Sequence, residues 1–518
     1  MTSSLIRGRP RRAASHISAR VAHAVLGAVV AVLWLVLPGM TPDRGTPAGP
    51  APSAAAQGQE VEETATADLV LPLLALGAAV VLGAYGYLRR SRRTRTRTTP
   101  GGPRPGPGSG APLAELDERA RAALVVADDC VRVGAEELDF AAARADADAV
   151  APYARAMAAA RAELTEAFRM RRRYDEGVPA EHAARRQALA GIVGRCAEAG
   201  RLLDEEAAGF DRLRDLEEAE GFGGALDVAE ARFRGLAGRT GAAEAAFTDL
   251  ARRYPPAARA PVVGCVEQAK DRLVFATTRL NQARQCADRG ERGRAVAHLR
   301  AAEGAVAQAG ILVGAVDRQV ALLARAAELV PAALTGAEAE LAGARAQAGA
   351  AAVPAGELRA RLLHADAVLS VVREELTSGP YDPLDLLHRI VRVTAPVAAG
   401  RAAVLSAAAA LVARGAVAAA ADYVATHRGA VGAEARTVLA AAQDAEEADP
   451  LAAEALARQA RQLAERDVRA HGHPDAAPGT GTAGALLGGI LLGPDPTEAP
   501  PASYGGPRTR ARRTPRLP

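Results

Sequence analysis

A run of twenty apolar, uncharged residues at 69–88 constrains this 518-residue chain more than any other feature. Its length matches the hydrocarbon core of a bilayer, about 30 Å thick at about 1.5 Å of rise per residue. Tyrosines lie at its end, where amphipathic rings prefer the membrane interface, and arginines follow, so this end is predicted to be cytoplasmic. The predicted membrane-interface residues are Tyr85, Tyr87, Arg89, Arg90, Arg92 and Arg93.

A second apolar run, at 21–37, follows a basic N-terminal region at 1–20. A basic flank before an apolar run is typical of an export signal. The run is short for a bilayer span, and the small-residue cleavage pattern at 54–56 lies far downstream. Residues 21–37 are therefore either a cleaved signal peptide or a first transmembrane helix. The acidic interval 38–68 is predicted to be a short extracytoplasmic segment.

The remaining chain divides by composition into three parts. Residues 89–112 are basic and then rich in Pro and Gly, which is typical of a tether. Residues 113–470 show helical periodicity and are predicted to form a cytoplasmic α-helical region. Residues 471–518, rich in Gly, Pro and Arg, are predicted to be a disordered tail. The net charge of +4 is a balance between basic ends and a mildly acidic body. A nucleic-acid-binding domain would place its basic residues on the folded part, so we expect no nucleic-acid partner.

Apolar spacing within the body predicts long helices with narrow seams. The clearest stripe, at alternating intervals of three and four, is typical of packing against one or two neighbouring helices. Aromatic residues make up only 3% of the chain, which suits narrow seams better than large cores. We predict an all-α, membrane-anchored, elongated helical bundle or coiled-coil body. Helix breaks are predicted near Pro152, 177–179, 221–224, Pro255, Pro331, Pro354, 379–383 and Pro450. The stripe consists of Leu189, Ile192, Cys196, Ala199, Leu203, Phe210 and Leu213.

No motif in the sequence predicts catalysis. The glycines of GTGTAG at 479–484 lack the strand and helix of a dinucleotide site. The four cysteines stand alone, without metal-ligand spacing, and are predicted to be small buried hydrophobes. The adjacent acids Asp128 and Asp129 are predicted to lie on an exposed helix face. We therefore predict no catalytic residue, cofactor, metal or small-molecule substrate.

Three segments of the body resemble a known family: AELTEAFRMRRRYDEG at 162–177, IVGRCAEAGRLLDEEAAGFDRLRDLE at 192–217 and ATHRGAVGAEARTVLAAAQ at 425–443. In these, and in the tail sequences GALLGGILLG and PASYGGPRTRARR, the chain resembles actinobacterial TPM-domain membrane proteins. That family pairs an exported TPM domain with a transmembrane helix and a cytoplasmic helical region. The interval 40–67 is too short for a TPM domain, so no activity of that domain carries over. The resemblance implies a cell-envelope setting.

Together these observations predict a non-catalytic scaffold or interaction protein in the cell membrane, with 89–518 in the cytoplasm. Its expected partners are the membrane and either another protein or a second copy of itself, bound through helices. The alternative is a sensor of anionic lipid or envelope stress. In that alternative, the juxtamembrane and C-terminal arginines bind the lipid surface.

Overall fold

The computed structural model describes residues 112–347, 355–397, 402–471 and 503–513. Within these ranges the chain is all-α and contains no strand, which confirms the predicted fold class. The α-helices are α1 Leu113–Ala142, α2 Ala147–Asp175, α3 His182–Arg214, α4 Ala219–Arg253, α5 Pro256–Arg259, α6 Cys265–Asp288, α7 Arg292–Ala346, α8 Ala355–Ser378, α9 Pro383–Thr394, α10 Ala403–Thr426, α11 Ala433–Ala445, α12 Pro450–His471 and α13 Pro507–Arg513. A 3₁₀ turn, Ala260–Val262, follows α5.

Helices α1, α2 and α3 pack together around what we call the N-terminal cluster. The stripe predicted on α3 forms one wall of it, and six of its seven residues are buried, Leu213 being half-buried. Large side chains fill the space between the helices, among them Phe168, Tyr174 and Phe210, each at most 7% exposed. The spacing of three and four keeps these side chains on one face of the helix, which is why the seam could be predicted.

Helix α7, with 55 residues, is the longest described helix and packs against α1, α4, α6, α8, α9 and α10. Its first half packs on α4 and α6 through small residues such as Ala295, Ala302 and Ala309. Its second half packs on α8, α9 and the start of α10 through Val330, Leu341 and their neighbours. This helix therefore links successive core clusters along the chain.

The last three long helices form what we call the alanine-rich cluster. It combines the end of α10 with α11 and α12, and eight of its fourteen buried hydrophobic residues are alanine. Ala453, Ala457 and Ala460 lie one helical turn apart on α12 and are fully buried. Small side chains at this spacing let helix backbones approach closely but bury little area per residue.

Two predicted helix breaks were wrong, because Pro152 lies inside α2 and Pro331 inside α7. The break predicted near 221–224 falls a few residues earlier, at 215–218 between α3 and α4, and those near 177–179, Pro255, 379–383 and Pro450 separate successive helices as predicted. Proline costs about 3 kcal/mol in a helix interior. Buried residues flank both prolines, such as Val150 and Met157 on α2 and Val330 and Ala333 on α7. Packing on both sides offsets the local cost and keeps each helix continuous.

The C-terminal segment 503–513 differs from the predicted disordered tail. It contacts α1 and α3, and Tyr504 is 0% exposed. The predicted segments 1–20, 21–37, 38–68 and 69–88, and the linker up to residue 111, lie outside the described residues, as do 472–502 and 514–518.

Two described helices, α7 and α10, are long and apolar enough to cross a membrane by length and composition. Core helices of soluble proteins pass the same test. Both helices pack against several others in the structure, α7 on α6 and α10 on α12 above all.

Candidate functional site: the tail groove

Helices α1, α2 and α3 form a groove, the tail groove, that holds the docked segment 503–513. The Tyr504 ring fills it, stacked on Phe210 with 4.3 Å between ring centroids and 23° between planes. The Tyr153 ring is nearly perpendicular to both rings, with centroids 5.4 Å from Phe210 and 6.2 Å from Tyr504. Aromatic contacts of this kind add about 0.5–1.5 kcal/mol beyond the burial itself. Tyr504 is therefore the anchor of the segment.

The phenol of Tyr504 also has a polar partner. Its hydroxyl donates to the main-chain oxygen of Tyr153 at 3.2 Å. Burial raises the pKa of Tyr504 well above its ordinary value, and the charge of Glu206 adds to that shift. The phenol therefore stays protonated and keeps its donor at any physiological pH.

The groove also binds the backbone of the segment. The amide of Tyr504 donates to Glu137, and the amides of Arg508 and Thr509 donate to the two carboxylate oxygens of Asp204, at 3.3 and 2.9 Å. Asp204 thereby satisfies amides at the start of α13 that have no partner within the helix. Hydrogen bonds to charged acceptors are stronger than neutral ones, so these two acids fix the position of the segment.

Glycines allow the docked segment to approach the backbone of α3 closely. A Cβ on Gly506 would lie 2.0 Å from the main-chain oxygen of Gly200, and a Cβ on Gly200 would lie 2.6 Å from Pro507. Gly505 has φ +131°, which L side chains rarely adopt. The sequence Tyr-Gly-Gly-Pro thus matches the groove in shape as well as in its anchor.

A buried charge network adjoins the groove and corrects one prediction. Asp128 is 4% exposed, not on an exposed face, and it pairs with Arg436 of α11 at 2.7 Å. The same guanidinium reaches Asp129 at 2.7 Å, and the main-chain oxygen of Asp129 accepts from Arg510 of the docked segment at 3.0 Å. Burial alone would raise the pKa of Asp128, but Arg132 and Arg436 outweigh it and hold that pKa below its ordinary value.

A second ionic network lies behind Glu137. Arg300 of α7 pairs with Glu137 at 3.2 Å, and Arg214 of α3 pairs with Glu303 of α7 at 2.6 Å. Arg214 and Glu303 are both about 4% exposed or less, so this pair is desolvated. The tail groove therefore lies where α7 and α11 both meet the N-terminal cluster.

A separate cavity of about 270 Å³ lies between the 3₁₀ turn, α7, α10 and α12. Its lining includes Cys265, Gln319, Tyr423 and His427, and Tyr423 is stacked on His427 at 4.2 Å. Burial holds the pKa of His427 below its ordinary value, so the ring is neutral near pH 7. Among the described residues no group of three or more His, Cys, Asp or Glu side chains is arranged to hold a metal ion.

Other sequence predictions have mixed outcomes. All four cysteines are free and buried, as predicted, and burial raises the pKa of Cys130 to about 11 and of Cys196 to about 12. The predicted interface residues lie outside the described residues, as does the GTGTAG motif. Sequence reasoning missed the tail groove. The one available signal was Tyr504, the only aromatic residue after residue 470, set in a Gly-Gly-Pro turn before arginines.

The fold and the groove define an all-α protein whose helical body holds a linear segment of its own chain. The chain is similar to two curated proteins of Mycobacterium tuberculosis, UPF0603 protein MT2410 of strain CDC 1551 / Oshkosh and UPF0603 protein Rv2345 of strain H37Rv. Each is 29% identical over 415 residues, covering 74% of this chain and 62% of the relative. The chain thus matches less than two thirds of the length of these relatives. No family model and no solved structure matches it.

These relatives support the expected similarity to an actinobacterial protein family. The TPM-domain part of that expectation stays a prediction. So do the signal peptide and the coiled coil.

Proposed function

We propose that this chain is a non-catalytic, membrane-anchored interaction protein whose cytoplasmic helical body binds a linear peptide segment in the tail groove. The observation that carries the proposal is the complete burial of Tyr504, at 0% exposed, by helices that lie about 300 residues earlier in the sequence. A slot for the Tyr504 ring, two acids that accept backbone amides, and a glycine contact together recognise a short linear segment that ends in the helix α13. These are the elements by which grooves bind linear motifs in general.

The anchoring part of the proposal rests on the sequence. Residues 69–88 have the length of a bilayer span, and the arginines after them favour a cytoplasmic body. Protease added to inside-out membrane vesicles is expected to digest the body, and protease added to right-side-out vesicles is expected to leave it intact. Digestion from the outer face would contradict the cytoplasmic placement.

The binding part can be tested with a labelled peptide of residues 503–513 and the full-length protein in detergent. In the Tyr504→Ala chain the internal segment loses its anchor, so the groove is expected to bind the added peptide. The wild-type chain holds its own segment and is expected to bind the peptide at least about tenfold more weakly, because about 1.4 kcal/mol of competition suffices.

Two controls separate groove binding from charge attraction. A peptide with alanine at Tyr504 keeps every arginine and is expected not to bind. Adding Asp204→Asn to the Tyr504→Ala chain removes a charged acceptor of two amides and is expected to weaken binding about tenfold. Equal binding of both peptides would contradict a specific groove, and absence of binding to the Tyr504→Ala chain would contradict the proposal itself.

A further inference from the structure

The docked segment presents arginines that the groove does not neutralise. Arg508 and Arg512 are exposed, and Arg512 bonds only to Thr509 of its own helix among the described residues. The sequence continues with Arg513 and Arg516, and no acidic residue occurs after Glu498. Among the described side chains, Arg508 and Arg512 therefore stay exposed on the docked segment and form no ion pair with the tail groove.

The acids of the tail groove keep other partners or reach solvent when the docked segment leaves. Glu137 keeps Arg300 when the amide of Tyr504 leaves, and the carboxylate of Asp129 keeps Arg436 when Arg510 leaves. Asp204 is only half-buried and can be solvated. Burying a charge without a partner is what makes a broken ion pair costly. No such charge remains here. The free-energy cost of release therefore comes from exposing the Tyr504 ring and from the lost hydrogen bonds.

We propose that an anionic lipid surface competes with the tail groove for the docked segment 503–513. On such a surface its arginines bind headgroup phosphates, each adding a favourable increment, and the Tyr504 ring enters the membrane interface. Release opens the groove to a peptide in trans, so lipid charge controls when the interaction site is available. This inference rests on the proposed function, because it takes the segment to be the natural occupant of the groove.

The test uses the full-length protein in nanodiscs of phosphatidylcholine alone or of a mixture rich in phosphatidylglycerol. Hydrogen exchange is measured at the amides of Tyr504, Arg508 and Thr509, which the docked state protects through Glu137 and Asp204. Protection is expected to fall about tenfold or more in the anionic nanodiscs, since several arginines contribute. High salt is expected to restore it, because the attraction is screened.

A charge variant provides the matched control. Replacing Arg508, Arg512, Arg513 and Arg516 by Gln keeps Tyr504, Arg510 and both glycines of the docked segment. This variant is expected to stay protected in both kinds of nanodisc. Equal protection of the wild type in both membranes would overturn the lipid proposal, as would equal release of the charge variant.

The outcome that contradicts the groove itself is different. If the three amides exchange in neutral nanodiscs as fast as they do in the Tyr504→Ala chain, docking does not occur and the proposed function fails with it. If protection instead appears only in nanodiscs that hold two copies of the chain, the segment docks in a neighbouring copy. That result would replace lipid with a second copy as its competing partner.

Discussion

The N-terminal cluster and the alanine-rich cluster are both formed by packed helices, but their buried side chains differ in size. The first places Phe168, Tyr174, Phe210 and Tyr504 in its interior, all at most 7% exposed. The buried hydrophobic residues of the second are more than half alanine, and among the described residues packed against them Tyr423, partly buried, is the aromatic one. In the first cluster the large rings form the slot that Tyr504 enters beside Phe210. In the second, alanines such as Ala453 and Ala457 are fully buried in the seam of α12.

The contact between the two clusters offers the largest expected effect. Arg436, 1% exposed, carries the ion pairs that join α11 of the alanine-rich cluster to α1. Arg436→Ala leaves Asp128 buried with Arg132 as its remaining partner, so we expect the free energy of unfolding to fall by about 3–5 kcal/mol. Urea unfolding followed by circular dichroism measures it. Arg373→Ala removes an exposed pair with Glu338 and should cost no more than about 1 kcal/mol. Similar losses of stability in the two variants would contradict the role of Arg436 in joining α11 to α1.

Shortening a large buried side chain should destabilise the N-terminal cluster, because its interior is filled by aromatic rings. Phe210→Ala removes a side chain that is 0% exposed and the platform on which Tyr504 stacks. We expect a loss of about 3–5 kcal/mol in the free energy of unfolding and faster hydrogen exchange at residues 504–509. The control is Phe233→Ala, a partly buried ring away from the groove. It should cost less and leave exchange at the segment unchanged; release of the segment in both variants would disprove the stacking role.

Enlarging a buried side chain should instead destabilise the alanine-rich cluster, because small residues fill its seams. Ala457 is 0% exposed in the seam of α12, so Ala457→Leu overpacks it and should cost about 1–3 kcal/mol. Ala455 on the same helix is exposed, and Ala455→Leu should change stability by no more than about 0.5 kcal/mol. Thermal unfolding of the two variants measures the difference. A tolerant Ala457→Leu variant would show that the seam is not closely packed.

The smallest expected effect is a difference in acid sensitivity. The pKa of Asp128 is depressed in the folded state. Its stabilisation is therefore full above the unfolded value of about 3.9 and is lost as pH falls through the folded pKa. Unfolding free energies measured between about pH 2 and pH 6 should fall less steeply in Asp128→Asn than in the wild type. Ala457→Leu should keep the wild-type slope, and a changed slope there would place the acid sensitivity elsewhere.

Part of this architecture could be predicted from local pattern. The stripe from Leu189 to Phe210 identified a buried helix face, because side chains three and four residues apart share one side of a helix. The same reasoning placed Asp128 on the exposed face, since its partner Arg436 lies 308 residues away and leaves no local trace. The break predicted at Pro331 is wrong for a similar reason, because the packing that keeps α7 continuous comes from other helices.

The sequence by itself determined that the described body is helical and that its cysteines are buried, because helical periodicity and the apolar character of a face are local properties. Only the tertiary structure decided that Tyr504 occupies a slot beside Phe210, and that Glu137 and Asp204 receive the backbone of the segment. Those contacts join residues about 300 or more positions apart, and nothing in local spacing records which distant helices meet. The charged pattern of the tail was visible in the sequence, but its docking depended on the gap that three packed helices leave between large side chains.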